Sequence, residues 1–274
     1  MTLLEQVRAH PLLHQAIPDG TVCYRRGGEG ADTLVLLHGI GSASGSWIMQ
    51  LTGLAGRCRM LAWDAPGYAD STPVAAAEPL AADYARRMWA WLDAMDAGRI
   101  ALVGHSLGAL IAAAAAAERP ARVRGLTLLA PAQGYARATA RVRRQKRDDR
   151  LAMLARLGPL AMGRERGANL LSSTADVEQI ELAQAMMGGV NVGGYIQATH
   201  MLSTGDLLTD LERVTCPVRV ASGSADAITP AQGCEAVARH VGAPYLSLGP
   251  AGHLCAVEAS SMVNALLVEA LGPA

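Results

Sequence analysis

The chain has 274 residues, of which 51% are hydrophobic and 18% are charged. This length and composition exclude a disordered protein and indicate one globular unit with a sizeable core. The 24 Lys and Arg residues balance the 24 Asp and Glu residues. No overall field would therefore gather nucleic acid or an anionic membrane, and neither is expected as a partner.

The cellular compartment is predicted from the cysteines and the apolar segments. Five cysteines without a CxxC pair are typical of reduced thiols, and they indicate neither a disulfide framework nor a metal site. The first twenty residues lack the apolar segment of a signal peptide, and the longest apolar run is too short to cross a bilayer. A cytoplasmic enzyme is the expectation, and the sequence leaves a homodimer open.

Runs rich in Leu and Val alternate with longer helical segments along most of the chain. This pattern predicts an α/β fold with a mostly parallel, doubly wound sheet. The predicted strands are 22–26, 33–38, 58–64, 100–104, 125–130, 218–222 and 245–248. The predicted helices are 82–95, 107–118, 231–240 and 259–271.

One segment, between Pro131 and Pro217, contains no convincing strand. It is too long for a structureless loop in a compact domain, and its glycines divide it into several helices. We therefore predict a helical cap at 133–206, inserted into a core formed by 1–132 and 207–274. Five methionines in the cap indicate core packing, with a pliable lining for an apolar pocket as the alternative.

The pentapeptide Gly104-His105-Ser106-Leu107-Gly108 has the G-x-S-x-G pattern. It follows a predicted strand and opens a predicted helix, the setting in which a serine nucleophile stands on a sharp turn. Small residues are needed on both sides of the serine, because bulkier ones would collide with adjacent elements. Ser106 is therefore the predicted nucleophile, and a chance Gly-Ser turn is the alternative.

A serine hydroxyl needs a general base, and the base needs an orienting acid. Asp226 and His253 follow the last two predicted strands, so both are expected at the carboxyl edge of the sheet. They are the predicted acid and base, with Asp64 as the competing acid. The histidines at positions 38 and 105 are expected to support turns by packing.

An oxyanion hole is predicted where His38-Gly39-Ile40-Gly41 follows an apolar strand. The backbone N–H of Ile40 could face that of Leu107, at the start of the helix after the serine. Two such donors, aimed at the tetrahedral oxyanion, are usually a leading contribution to catalysis.

With these segments in order, the chain resembles the α/β-hydrolase superfamily over nearly its full length. The matching segments are His38-Gly39-Ile40-Gly41, Asp64-Ala65-Pro66-Gly67-Tyr68-Ala69-Asp70-Ser71, the pentapeptide at 104–108, Asp226 and Gly252-His253. One departure is Ala69, where this family often has Gly. The resemblance implies a serine nucleophile, no cofactor, and a helical cap between strands of the sheet.

The expected function is serine-dependent hydrolysis of small carboxylic esters or lactones through an acyl-enzyme. One alternative is a hydrolase of aromatic degradation, since the tail at 251–258 resembles that of 3-oxoadipate enol-lactonases. Carbon–carbon bond hydrolases commonly have Asn and Trp where this chain has His105 and Leu254, which weakens that form of the alternative. A non-catalytic small-ligand binder on the same fold is a further alternative.

A basic stretch begins the predicted cap at 137–150. Its cations are Arg137, Arg141, Arg143, Arg144, Lys146, Arg147 and Arg150. A solvated helix face is the ordinary interpretation of such a run. The alternative is attraction of a carboxylate-bearing substrate by this patch, a hypothesis that the substitutions Arg143→Ala and Arg144→Ala would test.

Overall fold

A computed structural model describes residues 1–271, which form eight strands and eleven α-helices. The strands are β1 (Leu13–Ile17), β2 (Gly20–Gly27), β3 (Thr33–Leu37), β4 (Arg59–Trp63), β5 (Ile100–His105), β6 (Val123–Leu129), β7 (Val218–Ser222) and β8 (Tyr245–Ser247). The helices are α1 (Leu3–Ala9), α2 (Ile48–Gly53), α3 (Ala81–Ala94), α4 (Leu107–Glu118), α5 (Ala140–Arg166), α6 (Val177–Gly188), α7 (Val192–Thr204), α8 (Leu207–Leu211), α9 (Ala231–His240), α10 (Cys255–Glu258) and α11 (Ser260–Leu271).

All eight strands form one sheet in the order β1-β2-β4-β3-β5-β6-β7-β8. Strand β2 pairs antiparallel with β1 and β4, and every other pair of neighbours is parallel. The predicted mostly parallel sheet is therefore confirmed. Strand β1 was not predicted, because its sequence Leu-His-Gln-Ala-Ile lies at the sheet edge and buries only Ile17 fully.

The sheet is covered on both faces, which explains why its central strands are apolar throughout. In β3, Val35 and Leu37 belong to the core under α3 and α4, whereas Leu34 and Leu36 belong to the core under α2 and α11. Successive side chains of a strand point to opposite faces. A strand buried on both sides consequently shows a continuous hydrophobic run.

Helices α5, α6 and α7 occupy the connection between β6 and β7, where the sequence predicts an insertion. Residues 131–217 are all described, and they contain no strand. Helix α5 is interrupted at Gly158, whose φ of +65° is followed by Pro159. The glycine accommodates a backbone conformation that other residues rarely adopt, so the two halves of α5 diverge there.

Helix α4 is the most apolar helix next to the site, and its residues Leu107 to Ala116 are all buried. It packs between the sheet and helices α3 and α8, so the hydrophobicity of this helix reflects a core position. Within residues 1–271, no helix has both the length and the hydropathy of a membrane span.

Candidate active site

Ser106 occupies the turn between β5 and α4, with φ of +52° and ψ of −116°. A serine in this region of backbone space is strained, and such strain is typical of functional turns. The flanking glycines are required by close backbone approaches. A Cβ atom on Gly104 would lie 2.5 Å from the carbonyl oxygen of Gly108, and one on Gly108 would lie 2.3 Å from that of Leu37.

The His105 side chain points away from the serine, towards the loop that carries His253. Its Nε2 donates to the backbone carbonyl of His253 over 2.8 Å, and the two rings lie 4.8 Å apart. Burial, with the neighbouring His253, lowers the pKa of His105 to about 3. His105 is therefore neutral at physiological pH, and its hydrogen bond holds the loop of His253 in place.

Asp226 and His253 are in direct contact, at the ends of β7 and β8. His253 Nδ1 and Asp226 Oδ2 are 2.8 Å apart, and both side chains are almost fully buried. Burial alone would raise the pKa of Asp226, but its bonds with His253 and Thr229 outweigh burial and lower that pKa. An ionised Asp226 holds the proton on Nδ1 and leaves His253 Nε2 as an acceptor.

Thr229, which was not predicted from the sequence, contacts both Asp226 and His253. Its hydroxyl is 2.8 Å from Asp226 Oδ2, 3.2 Å from His253 Nδ1 and 3.0 Å from the carbonyl oxygen of Ala130. Its backbone N–H and that of Ile228 donate to Asp226 Oδ1. The spacing Asp-x-x-Thr is typical of a turn capped by an aspartate side chain, and it was the available signal.

Asp64, the competing acid, is hydrogen-bonded to Ser44 and not to the histidine. Its carboxylate accepts hydrogen bonds from the backbone N–H and the hydroxyl of Ser44, at 2.8 Å and 2.7 Å. Arg25 lies 3.9 Å from the same carboxylate. Asp64 makes no hydrogen bond with His253 in the described part of the chain, so the geometry favours Asp226 as its partner.

The turn after β3 lies against the elbow, since a Cβ on Gly39 would be 3.1 Å from Ser106 Cβ. Two side chains fix this turn. His38 Nδ1 donates to the carbonyl oxygen of Gly39 over 2.8 Å, and the Tyr68 hydroxyl donates to that of Ile40 over 2.6 Å. The first bond orients the peptide plane that carries the Ile40 N–H, one of the two predicted oxyanion donors.

His38 also joins this turn to the next one, because its Nε2 accepts the backbone N–H of Ala65 over 3.0 Å. Both ring nitrogens are thereby used in structural bonds. Burial lowers the pKa of His38, although the nearby Asp64 opposes this shift. The supporting role expected of His38 agrees with these contacts.

A cavity of about 610 Å³ brings the predicted residues together. Ser106, His253, Ile40 and Leu107 line its floor, at the carboxyl edge of the sheet. Its other walls come largely from the inserted helices: Lys146, Asp149, Arg150, Met153, Arg166, Asn169, Leu170, Met187, Tyr195 and Leu202.

The basic stretch reaches this cavity with two of its seven cations. Lys146 and Arg150 line the cavity, whereas Arg143 and Arg144 do not. On α5, the lining residues fall on one helical face, to which Arg143 also belongs one turn before Lys146, whereas Arg144 falls on the opposite side of the helix. Part of the basic stretch thus faces the cavity, and its role in substrate binding stays a prediction.

The methionines of the insertion divide between both predicted uses. Met162 and Met201 are fully buried in the main core, whereas Met153 and Met187 line the cavity. Unbranched, polarisable side chains of this kind adapt to irregular apolar shapes.

Cys234 is the thiol that lines the cavity. Burial raises its pKa to about 11, so it remains a protonated thiol and a poor nucleophile beside Ser106. Among residues 1–271, the one cluster of three metal-ligand side chains is His14, Cys23 and Asp70. Those three residues do not line the cavity.

A family model described as the alpha/beta hydrolase fold matches residues 32–259. The chain belongs to this family. The match spans the turn after β3, the Ser106 elbow, the inserted helices, and the loops of Asp226 and His253. It agrees with the resemblance seen in the sequence, and the chain is accordingly a hydrolase.

Individual relatives carry different substrate names. The chain is 28% identical to (E)-2-((N-methylformamido)methylene)succinate hydrolase of Acinetobacter baylyi, over 75% of this chain and 76% of that protein. A hydrolase from Pseudomonas aeruginosa is 26% identical with a TM-score of 0.83, covering 96% of this chain and 98% of that one. The enol-lactonase of Burkholderia xenovorans is 20% identical with a TM-score of 0.82, covering 95% and 100%, and this likeness concerns the fold.

Proposed function

We propose that this hydrolase cleaves small carboxylic esters or lactones through an acyl-enzyme on Ser106. The observation that carries the proposal is the position of Ser106. It stands on a strained turn and opens into the same cavity as His253, whose other ring nitrogen is bonded to the buried Asp226. A nucleophile, a base and an orienting acid in this order are what acyl transfer to serine requires.

In the first half of the reaction, the Ser106 hydroxyl attacks the substrate carbonyl carbon and passes its proton to His253 Nε2. Asp226 stabilises the imidazolium that forms and does not itself become protonated. The carbonyl oxygen becomes an oxyanion, for which the N–H groups of Ile40 and Leu107 are the proposed donors. Loss of one such donor typically costs roughly 10²–10³ in kcat.

Collapse of this intermediate breaks the bond to the leaving alcohol, which takes the proton from His253. A water molecule then attacks the acyl-enzyme while His253 accepts one of its protons. Return of that proton to Ser106 releases the carboxylic acid and restores the enzyme. For a lactone, the acid and the alcohol are parts of one product.

We further propose that residues 133–206 act as a cap, a role supported by the cavity walls that the inserted helices provide. A cap of this kind limits substrate size and excludes bulk water from the reacting groups. A cytoplasmic location belongs to the same proposal, and its support is that all five cysteines are free thiols.

The decisive experiment compares the wild type with Ser106→Ala on p-nitrophenyl esters with acyl chains from acetate to decanoate. We expect kcat to fall by roughly 10⁴-fold or more in the variant, because no other group can form the acyl-enzyme. An unchanged melting temperature would show that the variant is folded. Retention of activity by the folded variant would refute the serine mechanism.

A second candidate function is hydrolysis of an enol-lactone, which is the cyclic ester of an enol. It is favoured by the tail at 251–258 that suggested an enol-lactonase, and the relative named (E)-2-((N-methylformamido)methylene)succinate hydrolase likewise bears the name of an unsaturated substrate. The discriminating measurement is kcat/KM for an enol-lactone against a saturated lactone of the same ring size. A preference of more than about tenfold for the enol-lactone would favour this candidate.

A further inference from the structure

The charges around the cavity are distributed unevenly between its two sides. Its charged lining side chains, apart from histidine, are Lys146, Asp149, Arg150 and Arg166, and all four come from the inserted helices. Three cations therefore face one carboxylate, although the whole chain has equal numbers of basic and acidic residues. The charged groups that the insertion contributes to the cavity lining therefore have a net positive charge.

The cavity cations are not neutralised by the protein. Within residues 1–271, no carboxylate lies within ion-pair distance of Lys146, Arg150 or Arg166. Neighbouring arginines on the same segment are paired, Arg137 with Asp206 at 2.9 Å and Arg147 with Asp148 at 2.8 Å. Arg143 and Arg144 likewise have no ion-pair partner within the described residues, so the unpaired cations of the insertion include those that face the cavity but are not confined to them.

The positions of these cations on α5 direct them towards bound substrate. Lys146, Asp149, Arg150 and Met153 have the spacing of a single helical face, and all four line the cavity. Arg150 is half-buried and lies close to Tyr68, whose hydroxyl holds the Ile40 turn. A charge in such a partly enclosed space acts more strongly than one in open water.

We propose that the substrate carries a carboxylate remote from the scissile carbonyl, and that Lys146 and Arg150 bind this carboxylate. The inference rests on the proposed function, because it assumes that the carbonyl lies at Ser106. The carboxylate forms charge-assisted hydrogen bonds with the ammonium and the guanidinium. The apolar side chains of Met153 and Leu202 then contact the carbon chain between the two ends of the substrate.

The test uses monoethyl adipate and ethyl hexanoate, which have the same chain length but end in a carboxylate and a methyl group. Acid release is followed in a pH-stat. We expect the wild type to prefer the acidic ester, and the double variant Lys146→Met/Arg150→Met to lose roughly 10- to 100-fold in kcat/KM for it. The kcat/KM for ethyl hexanoate should change by less than about threefold.

A matched control is available on the same helix. Arg143→Met/Arg144→Met removes the same formal charge outside the cavity lining, so the preference for the acidic ester should remain. Equal losses of kcat/KM in the two double variants would mean that the basic residues act by long-range attraction and not by binding the carboxylate in the cavity. Equal losses on the two esters would mean that the cavity cations do not select a carboxylate; either result overturns the proposal.

A binding measurement separates this proposal from the proposed reaction. Adipate and hexanoate are titrated calorimetrically into Ser106→Ala protein, with and without the Lys146→Met/Arg150→Met change. Tighter binding of adipate that depends on the two cations supports the carboxylate site even if neither ester is hydrolysed. Equal affinities would refute the carboxylate site while leaving serine-dependent ester hydrolysis intact.

Discussion

The two sides of the cavity are built on different principles. The floor, where the turns after β3 and β5 meet, consists of backbone segments in close contact, with Gly104 and Gly108 at the closest approaches. The roof, formed by the inserted helices, presents charged and flexible side chains such as Lys146, Arg150 and Met153. We therefore propose that the floor provides the reaction chemistry and that the roof determines substrate choice. Substitutions in the floor should therefore be costly, and those in the roof should be selective.

The largest effect is expected from Gly108→Ala, in the floor. The added Cβ would lie 2.3 Å from the Leu37 carbonyl oxygen, and backbone atoms must move to relieve that contact. We expect a loss of about 3 kcal/mol or more in the free energy of unfolding, measured by urea denaturation. In the control Gly56→Ala, the new Cβ meets no atom within 4 Å. Similar stability of the two variants would contradict the close-packed floor.

The next largest effect is the pH dependence of the free energy of unfolding that arises from His105. Its folded-state pKa of about 3 lies below its ordinary value of 6.5, so the unfolded chain binds more protons between these limits. Stability is consequently highest above pH 6.5 and falls as the pH decreases, by up to about 1.4 kcal/mol per pH unit from this group. Unfolding free energies from pH 7.5 to 5 should decline less steeply in His105→Gln than in the wild type. Parallel curves for the two proteins would exclude the effect.

A smaller effect, in activity, is expected from Thr229→Val. The change keeps the side-chain shape but removes the hydroxyl that contacts both Asp226 and His253. We expect kcat to fall by about tenfold. The acid limb of the kcat/KM profile should also move to higher pH, because loss of the Thr229 hydroxyl bond raises the pKa of Asp226 and makes it a stronger partner for the imidazolium. Thr229→Ser should restore both values, and a fall in kcat without a shift of the profile would assign Thr229 a purely structural role.

The smallest effect should follow from Met153→Ala, in the roof. This half-buried side chain lines the cavity, so its truncation adds room for a longer acyl chain. We expect the preferred acyl chain to lengthen by about two carbons, with kcat/KM for short esters falling roughly fivefold. Melting temperature should remain nearly constant. If the chain-length profile is unchanged, Met153 does not limit the acyl pocket.

The contrast between floor and roof also explains which parts of the site could be predicted from the sequence. The elbow at Ser106 was readable because its close backbone approaches demand glycine at fixed positions. The roof has no such signature: the sequence shows a basic stretch, but only the tertiary structure shows that Lys146 and Arg150 line the cavity and that Arg143 and Arg144 do not. Strand β1 escaped prediction because an edge strand with one fully buried residue carries little hydrophobic pattern.

The sequence by itself determined the fold class, the helical insertion between β6 and β7, and the order of the serine, acid and histidine along the chain. These features depend on local patterns, which are hydrophobic runs, turn residues and a strand–turn–helix motif. The tertiary structure decided which groups meet. It places His253 against Asp226 and not Asp64, puts Thr229 between acid and base, and turns one face of α5 into the cavity. Contacts between residues far apart in the chain depend on how the elements pack, and no local pattern records that packing.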